Sequence, residues 1–460
     1  MNISEFFVKK FGSKKIGLLG LGISNLGVYE YLSSLGIPPQ TLRAETAPEK
    51  IPDGLKTYFG KGFLSGADED FLFLPPSARR TEELLSLGPR LTSDTEEFFS
   101  VCPAPCFLIT GSDGKSTTTE ITYRMLSRSS SFSEVGKGGN IGIPLMSLLK
   151  NATETGAVVA ELSSFQLMYT RPRSERALIT NITPNHLNWH RDFSEYREAK
   201  THVLENTREA VLNADDPECS ALALSITDRT MFSAVLTLDK LIHTFGKNRY
   251  IYIDGKNVLR YDGNESEYLF RSDEILLPGI HNLKNYMAAA AMTYGYVEGK
   301  DISAVAGSFR GLRHRSELVA NINGVRCYDS SIDSSPARTA ATIKAVGGMS
   351  VLILGGRDKG VPFDSLPGEL AGRVRAAVVT GEAADKILAA FDASGSAIPI
   401  FRERDFESAV LHAISLATPL HDNVILSPAC TSFDNFRNFE ERGEKFSEIV
   451  NKYLQSSNNV

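Results

Sequence analysis

The chain has 460 residues, 42% hydrophobic and 23% charged, which are the values of a globular protein with no segment that composition alone leaves disordered. That length predicts about three domains, because single cores stop growing well below it. The formal net charge of -6 excludes a generally basic nucleic-acid surface, while a local basic patch for phosphates stays open.

The opening residues, Met1-Asn2-Ile3-Ser4-Glu5-Phe6-Phe7, carry no basic region followed by a long apolar core, and no apolar run approaches membrane-spanning length. A cytoplasmic protein with no membrane or nucleic-acid partner is expected. The five cysteines are scattered apart from Cys102 and Cys106, which have prolines at 103 and 105 between them. A pair alone does not make a zinc site, so reduced thiols are expected.

Residues 15–19 read as a strand, followed by Gly20-Leu21-Gly22-Ile23-Ser24-Asn25-Leu26-Gly27 and a helix through Leu35. This is a Rossmann-like opening. The dinucleotide fingerprint wants glycine where Asn25 stands and an acidic residue about twenty positions on, where Glu45 is the candidate. An NAD or NADP site therefore competes with a glycine turn that merely packs a helix on its strand. Strands at 40–42 and 71–74 and helical spacing at 81–87 and 95–99 complete a first α/β domain ending near residues 103–105.

The next stretch reads Cys106-Phe107-Leu108-Ile109-Thr110-Gly111-Ser112-Asp113-Gly114-Lys115-Ser116-Thr117. Residues 107–109 suit a buried strand, Gly111 and Gly114 allow a tight turn, and helical spacing begins at Thr117. Strand, glycine turn and helix is the phosphate-binding order, in which backbone N–H groups and a helix N-terminus favour an anion. Lys115 would reach terminal phosphate oxygens and the Ser116 or Thr117 hydroxyl would ligate magnesium. The longer P-loop pattern has glycine where this chain has Ile109, so the match is to the short form Gly-x-x-Gly-Lys-Ser. A helix-capping turn with an exposed lysine is the competing reading.

Strand-like runs at 157–160 and 177–182 lead to Glu161 and His186. Ligands collect at the carboxyl ends of parallel strands, and Glu161 offers magnesium a hard oxygen. The spacing of His186 and His190 suits zinc on a helix, but Pro184 and Trp189 suggest a loop entering a helix instead. Within the helical spacing of 195–205, Lys200 reads as a solvated charge on a polar face. Residues 211–217 form a strand stopping in an acidic turn. The alternation of 249–270 around Asp254-Gly255 and Asp262-Gly263 signals hairpins. An alanine-rich helix covers 286–294, and Asn282 and Asn285, three apart, are either caps or ligands. After residue 315, strands at 325–328, 351–354, 376–379, 398–401 and 423–426 alternate with helices, which predicts a doubly wound sheet. Its loops at 355–360 and 427–434 follow strands, where ordinary turns and a small-ligand site are equally consistent.

As an ordered set these stretches resemble the Mur ligases over nearly the whole chain. The likeness rests on 111–117, Gly139-Asn140-Ile141-Gly142, 161–167, 181–190, Lys200, 213–217, 279–285 and His314-Arg315-Ser316-Glu317. Residues 427–436 followed by Asn438-Phe439-Glu440-Glu441-Arg442-Gly443 are most similar to the D-glutamate-adding branch. The resemblance implies an α/β protein of three domains. Residues 1–104 would form a Rossmann-like domain for the UDP substrate, 105–312 a central P-loop ATPase-like domain, and 313–460 a Rossmann-like doubly wound domain for the amino acid. It implies a monomeric ligase that adds D-glutamate to UDP-N-acetylmuramoyl-L-alanine in cytoplasmic peptidoglycan precursor synthesis, through an acyl phosphate.

By position, Gly111, Ser112, Asp113, Gly114, Lys115, Ser116 and Thr117 would hold ATP, with Asn282, Asn285, His314, Arg315 and Asp329 lining the same site. The resemblance implies two magnesium ions, with Ser116, Thr117, Glu161, His186 and Lys200 as ligands and Lys200 as a carbamate. Ile23, Ser24, Asn140, Ser163 and Gln166 would meet the UDP substrate, and Lys359, Ser432 and Phe439 would meet D-glutamate. The chain departs from the family pattern at Leu74-Pro75-Pro76-Ser77, at Asn185 and Asn188, and at Asp329-Ser330-Ser331. A same-family ligase with another acceptor and a non-catalytic ATP-binding protein are the rival readings.

Overall fold

The computed structural model describes residues 2–48, 50–87, 90–187, 189–277, 279–358 and 360–457. The chain divides into two compact bodies, one holding residues up to Glu274 with Leu283–Ala306, the other Ile275–Asn282 with residues from Gly307 onward. Among the described residues the strands form three sheets, two in the first body and one in the second.

The first sheet contains β1 (Ile16–Leu19), β2 (Thr41–Ala44), β3 (Lys56–Phe59), β4 (Phe71–Leu74) and β5 (Leu91–Ser93) in the order β3-β2-β1-β4-β5. All four pairings are parallel. A helix over Ile3–Phe11, not anticipated from the sequence, starts at a capping box in which Asn2 and Glu5 exchange hydrogen bonds of 2.8 and 3.2 Å. It buries Phe7 and Phe11, and Phe11 meets Phe71 edge-on at 4.8 Å.

At the turn after β1, the fully buried amide of Asn25 donates to the carbonyls of Leu19, Gly20 and Phe73. A side chain thus fills the place where the dinucleotide fingerprint needs bare backbone, and the turn packs a helix onto its strand.

The second sheet contains β6 (Cys106–Thr110), β7 (Val135–Gly139), β8 (Ala157–Glu161), β9 (Arg173–Ile179), β10 (Asn206–Asn213), β11 (Arg229–Ser233), β12 (Arg249–Asp254), β13 (Asn257–Tyr261) and β14 (Ser266–Arg271). Its order is β14-β13-β12-β11-β10-β9-β6-β8-β7. The strands from β6 to β12 run parallel, while β13 and β14 form the expected hairpins. The strand before His186 ends at Ile179, not at residue 182, because the chain beyond it turns to hold the glycine loop. One hydrophobic core runs from Phe7 and Leu18 under the first sheet through Leu145 and Met146 to Leu212 and Tyr250 under the second.

In the second body, β15 (Glu317–Ile322), β16 (Val325–Asp329), β17 (Ser350–Gly355), β18 (Val374–Thr380), β19 (Ile400–Arg402) and β20 (Asn423–Leu426) form the third sheet. Its order is β15-β16-β20-β17-β18-β19, parallel except for β15 at the edge, with a hydrophobic core on each face. This is the doubly wound sheet that the alternation predicted. No helix among the described residues is long and apolar enough to cross a membrane.

Candidate active site

The glycine turn is built as its spacing requires. β6 delivers Thr110 to the loop, Gly114 takes φ +80°, and the helix Lys115–Leu126 starts immediately after it. Gly111 has φ +144°, and a Cβ there would collide with Thr180 Oγ1. The loop is pinned by residues past β9: Ser112 N donates to Asn181 O at 2.9 Å, Asp113 N to Asn181 Oδ1 at 3.0 Å, and Thr180 Oγ1 to Asp113 O at 2.6 Å. A Cβ on Gly114 would strike Asn285 Oδ1, the atom to which Thr118 Oγ1 donates at 3.2 Å. Asn285 therefore backs the cradle, whereas Asn282 is half-buried in the first turn of the same helix, Ile280–Met292.

Glu161 ends β8, in register with Ile109 of β6 and Gly139 of β7, so it stands at the carboxyl edge beside the cradle. It is 1% exposed. One oxygen accepts from Asn140 Nδ2 at 2.8 Å, while Oε2 is buried without a hydrogen-bond partner. Such an oxygen is costly unless something positive meets it, and a hard cation suits a carboxylate. With the hydroxyls of Ser116 and Thr117 in the first helical turn, the donor set is the oxygen-rich one that magnesium prefers.

Lys200 corrects the reading of a solvated charge. The helix Phe193–Thr201, capped by Asp192, turns it inward, where it is 2% exposed and donates to Gly111 O at 2.7 Å. Burial, reinforced by the charge of Lys115, holds its pKa well below the usual lysine range, against the opposing pull of Glu161 and Asp113. Its ammonium also sits 4.7 Å over the ring of Tyr196, whose hydroxyl meets Ser112 Oγ at 2.8 Å. Lys115 Nζ donates to the loop carbonyls of Gly111 and Ser112, each at 3.0 Å.

His186 has φ +54° in the loop before that helix, with its ring 4.9 Å from Phe165. Burial, then the charges of Lys115 and Lys200, lower its pKa, which favours the neutral imidazole, the form able to ligate. His190 lies in the same loop, buried against Ser164 Oγ at 3.0 Å, and the next helix begins only at Phe193. The helical pair for zinc is thus not formed.

The expected UDP contacts divide. Ile23, 67% exposed, and Ser24 open the helix Ile23–Ser34 on the surface at the end of β1. Ser163 and Gln166 instead form a buried capping box, Gln166 Oε1 accepting from Ser163 N at 2.9 Å. Gln166 Nε2 reaches Thr95 Oγ1 at 3.3 Å and so ties the second sheet to the first. Leu74, Pro75 and Pro76 of the departing segment help to line a narrow cavity with Thr95, Phe165 and Gln166, and Ser77 O accepts from Trp189 Nε1 at 3.0 Å.

In the second body, His314 Nδ1 and Asp329 Oδ2 are 2.7 Å apart and both buried. Burial opposes charge on His314, but the hydrogen bond and charge of Asp329 outweigh it and raise the pKa overall. Asp329, in the departing Asp-Ser-Ser sequence, is the last residue of β16. A Cβ on Gly443 would strike both members of the pair, and Phe439 meets His314 edge-on at 6.2 Å. With Glu317 these two form the one group of three His, Cys, Asp or Glu side chains among the described residues that could hold a metal ion.

The loops at 355–360 and 427–434 lie side by side: Arg357 N donates to Thr431 O at 2.8 Å and Thr431 N to Arg357 O at 3.1 Å. Ser432 is buried there, and Lys359 lies outside the described residues, as does Asn188.

Two roles escaped the sequence reading. Arg442, 2% exposed, donates to Ser331 Oγ and to the carbonyls of Ser331, Cys430, Thr431 and Gly355, clamping three strand ends. Asn181 holds the glycine loop from both its amide atoms. Both residues lie inside stretches that the motif comparison singled out, which was the available signal.

Residues 109–293 match the model of the Mur ligase middle domain. The UDP-N-acetylmuramoylalanine–D-glutamate ligase of Ruminiclostridium cellulolyticum is 36% identical, covering 98% of this chain and 99% of that protein. The ligase of the same name from Acetivibrio thermocellus is 38% identical, with 97% and 98% covered. Among solved structures, UDP-N-acetylmuramate-alanine ligase MurC of Thermotoga maritima superposes with a TM-score of 0.54 at 16% identity, over 96% of this chain and 100% of that one, a likeness of fold. At that level of identity along its whole length with two ligases of one name, the chain belongs to the UDP-N-acetylmuramoylalanine–D-glutamate ligase family of Mur ligases.

Proposed function

We propose that this chain joins D-glutamate to the alanyl carboxylate of UDP-N-acetylmuramoyl-L-alanine with ATP as the energy source, as a monomer in the cytoplasm. Family membership supports the reaction. The structural observation that carries it is the cradle itself, with buried Lys200 on Gly111 O and the unpartnered oxygen of Glu161 at its edge.

A carboxylate is a poor electrophile because oxide is a poor leaving group. In the proposed reaction its oxygen attacks the γ-phosphorus of ATP, ADP leaves, and the acyl phosphate formed has a good leaving group. The amine of D-glutamate then attacks the acyl carbon, and phosphate is expelled. Lys115 exchanges the carbonyls of Gly111 and Ser112 for phosphoryl oxygens and offsets the charge that develops there. Ser116 or Thr117 with Glu161, and His186 with Lys200, are proposed to hold two magnesium ions, which supply further charge compensation.

Burial, which lowers the Lys200 pKa, favours loss of its proton to the neutral amine, the form that adds carbon dioxide to give a carbamate and a proton. The carbamate turns a buried cation into an anionic oxygen donor. Asn285 supports the cradle from behind, and Asn282, His314, Arg315 and Asp329 are assigned to the nucleotide. Ile23, Ser24 and Asn140 are assigned to the UDP substrate, with Ser163 and Gln166 shaping its wall. Lys359, Ser432 and Phe439 are assigned to D-glutamate. Residues 1–104, 105–312 and 313–460 are the proposed UDP-substrate, ATP and amino-acid domains.

Phosphate release across an amino-acid panel tests this. Release that needs both UDP-N-acetylmuramoyl-L-alanine and D-glutamate is expected; independence from the amino acid, or preference for L-alanine or L-lysine, would overturn it.

A further inference from the structure

Cys102 and Cys106 bracket the Pro103-Ala104-Pro105 connection between the helix Asp94–Val101 and β6. Their sulfurs are 3.9 Å apart, and both face the carbonyl oxygen of Ala104, at 3.9 and 3.4 Å. The two proline rings fix φ on either side of the buried Ala104, so this approach is set by the backbone. A disulfide needs the sulfurs at roughly 2.05 Å, so the two side chains, already 3.9 Å apart at sulfur, have to turn toward each other to close it.

We propose that Cys102 and Cys106 are a reversible dithiol–disulfide pair that takes low-molecular-weight disulfides as its oxidant. This inference stands apart from the ligase reaction. Cys102 is the half-buried member and the attacking group, and Cys106 is sealed behind it. The thiol of Cys106 donates to the sulfur of Cys102, which lowers the Cys102 pKa and raises that of Cys106. The three remaining cysteines, Cys219, Cys327 and Cys430, are buried, with thiols pushed up by burial. Reactivity follows the thiolate and its access, so Cys102 is the one entry point in the set.

The chemistry balances in two exchanges. The Cys102 thiolate attacks one sulfur of the small disulfide, breaking its S–S bond and releasing one thiol once protonated. Cys106 loses its proton and attacks the Cys102 sulfur of the mixed disulfide, expelling the second thiol. One small disulfide becomes two thiols as the protein gains one S–S bond, and excess small thiol reverses both steps.

The test treats the full folded chain with excess oxidised glutathione, quenches with an alkylating agent, and cleaves after Arg90 and Lys115 to isolate residues 91–115 for mass spectrometry. This peptide is expected to be two hydrogens lighter and closed to alkylation, and to regain both thiols with dithiothreitol. Cys219, Cys327 and Cys430 are expected to react only after unfolding. Cys106→Ser should stop at a single glutathione adduct on Cys102, and Cys102→Ser should take none. Two alkylatable thiols in 91–115 after oxidation, an adduct on Cys106, or oxidation of the three buried thiols at the same rate would each overturn the proposal.

Discussion

Lys200 Nζ lies 2.7 Å from the carbonyl oxygen of Gly111, so the buried amine and the glycine loop are joined by a direct hydrogen bond. Replacing Lys200 by alanine is expected to lower turnover by about 100-fold or more, in the range of lost electrostatic groups at such sites. Added bicarbonate should not restore it, and arginine, which stays charged, should not substitute. Near-normal phosphate release by Lys200→Ala would reject a role for this side chain.

Asn140 Nδ2 donates to the Glu161 oxygen opposite the unpartnered one and thereby aims that oxygen at the cradle edge. Asn140→Ala is expected to raise the magnesium concentration for half-maximal phosphate release by about 10- to 100-fold, as loss of a residue that orients a ligand does. If only the KM for the UDP substrate moves, Asn140 acts on substrate alone.

Asp94 is fully buried at the start of its helix and accepts from Met146 N at 2.8 Å and Leu145 N at 3.3 Å. Burial raises its pKa from 3.8 to about 6, against the two backbone hydrogen bonds. A folded-state pKa above the unfolded one means that stability is fully present below about pH 4 and is lost as pH rises through about 6. The cost of ionisation is on the order of 3 kcal/mol. The Tm of the native chain minus that of Asp94→Asn should therefore fall between pH 4.5 and 7.5, by differential scanning calorimetry. A pH-independent difference would show that Asp94 does not titrate there.

Arg442 keeps its charge in a buried site although burial pushes its pKa down to about 10. Five acceptors surround it, and Arg442→Met would strand most of them, at a cost of about 3 kcal/mol or more in urea unfolding of the second body. A loss below about 1 kcal/mol would mean that the three strand ends hold without the clamp.

The glycine loop, the strands beside it and the third sheet's alternation were legible because each is a local pattern. Lys200 was not: its helix carries Glu195, Glu198 and Thr201 and looks solvated, and only the tertiary placement of Gly111 and Tyr196 closes over it. β3 escaped notice because its residues are largely exposed at a sheet edge, and β15 because it joins its sheet antiparallel, outside the strand–helix rhythm. Ser163 and Gln166 were expected as site residues, but their reciprocal capping is a geometric fact that spacing suggests without fixing. Glu317 went unassigned because its contact with His314 N is made by a left-handed turn at His314 and Ser316.

The hydrophobic core that runs unbroken from Phe7 to Tyr250 makes the proline-rich connection at 103–105 a poor place to cut the gene. Fragments made there would each present a raw apolar face: Val28 and Phe98 on one side, Leu145 and Met146 on the other, all fully buried in the intact chain. Any engineered exchange should therefore carry the first two sheets together as one cassette, whatever division of labour their ligands impose.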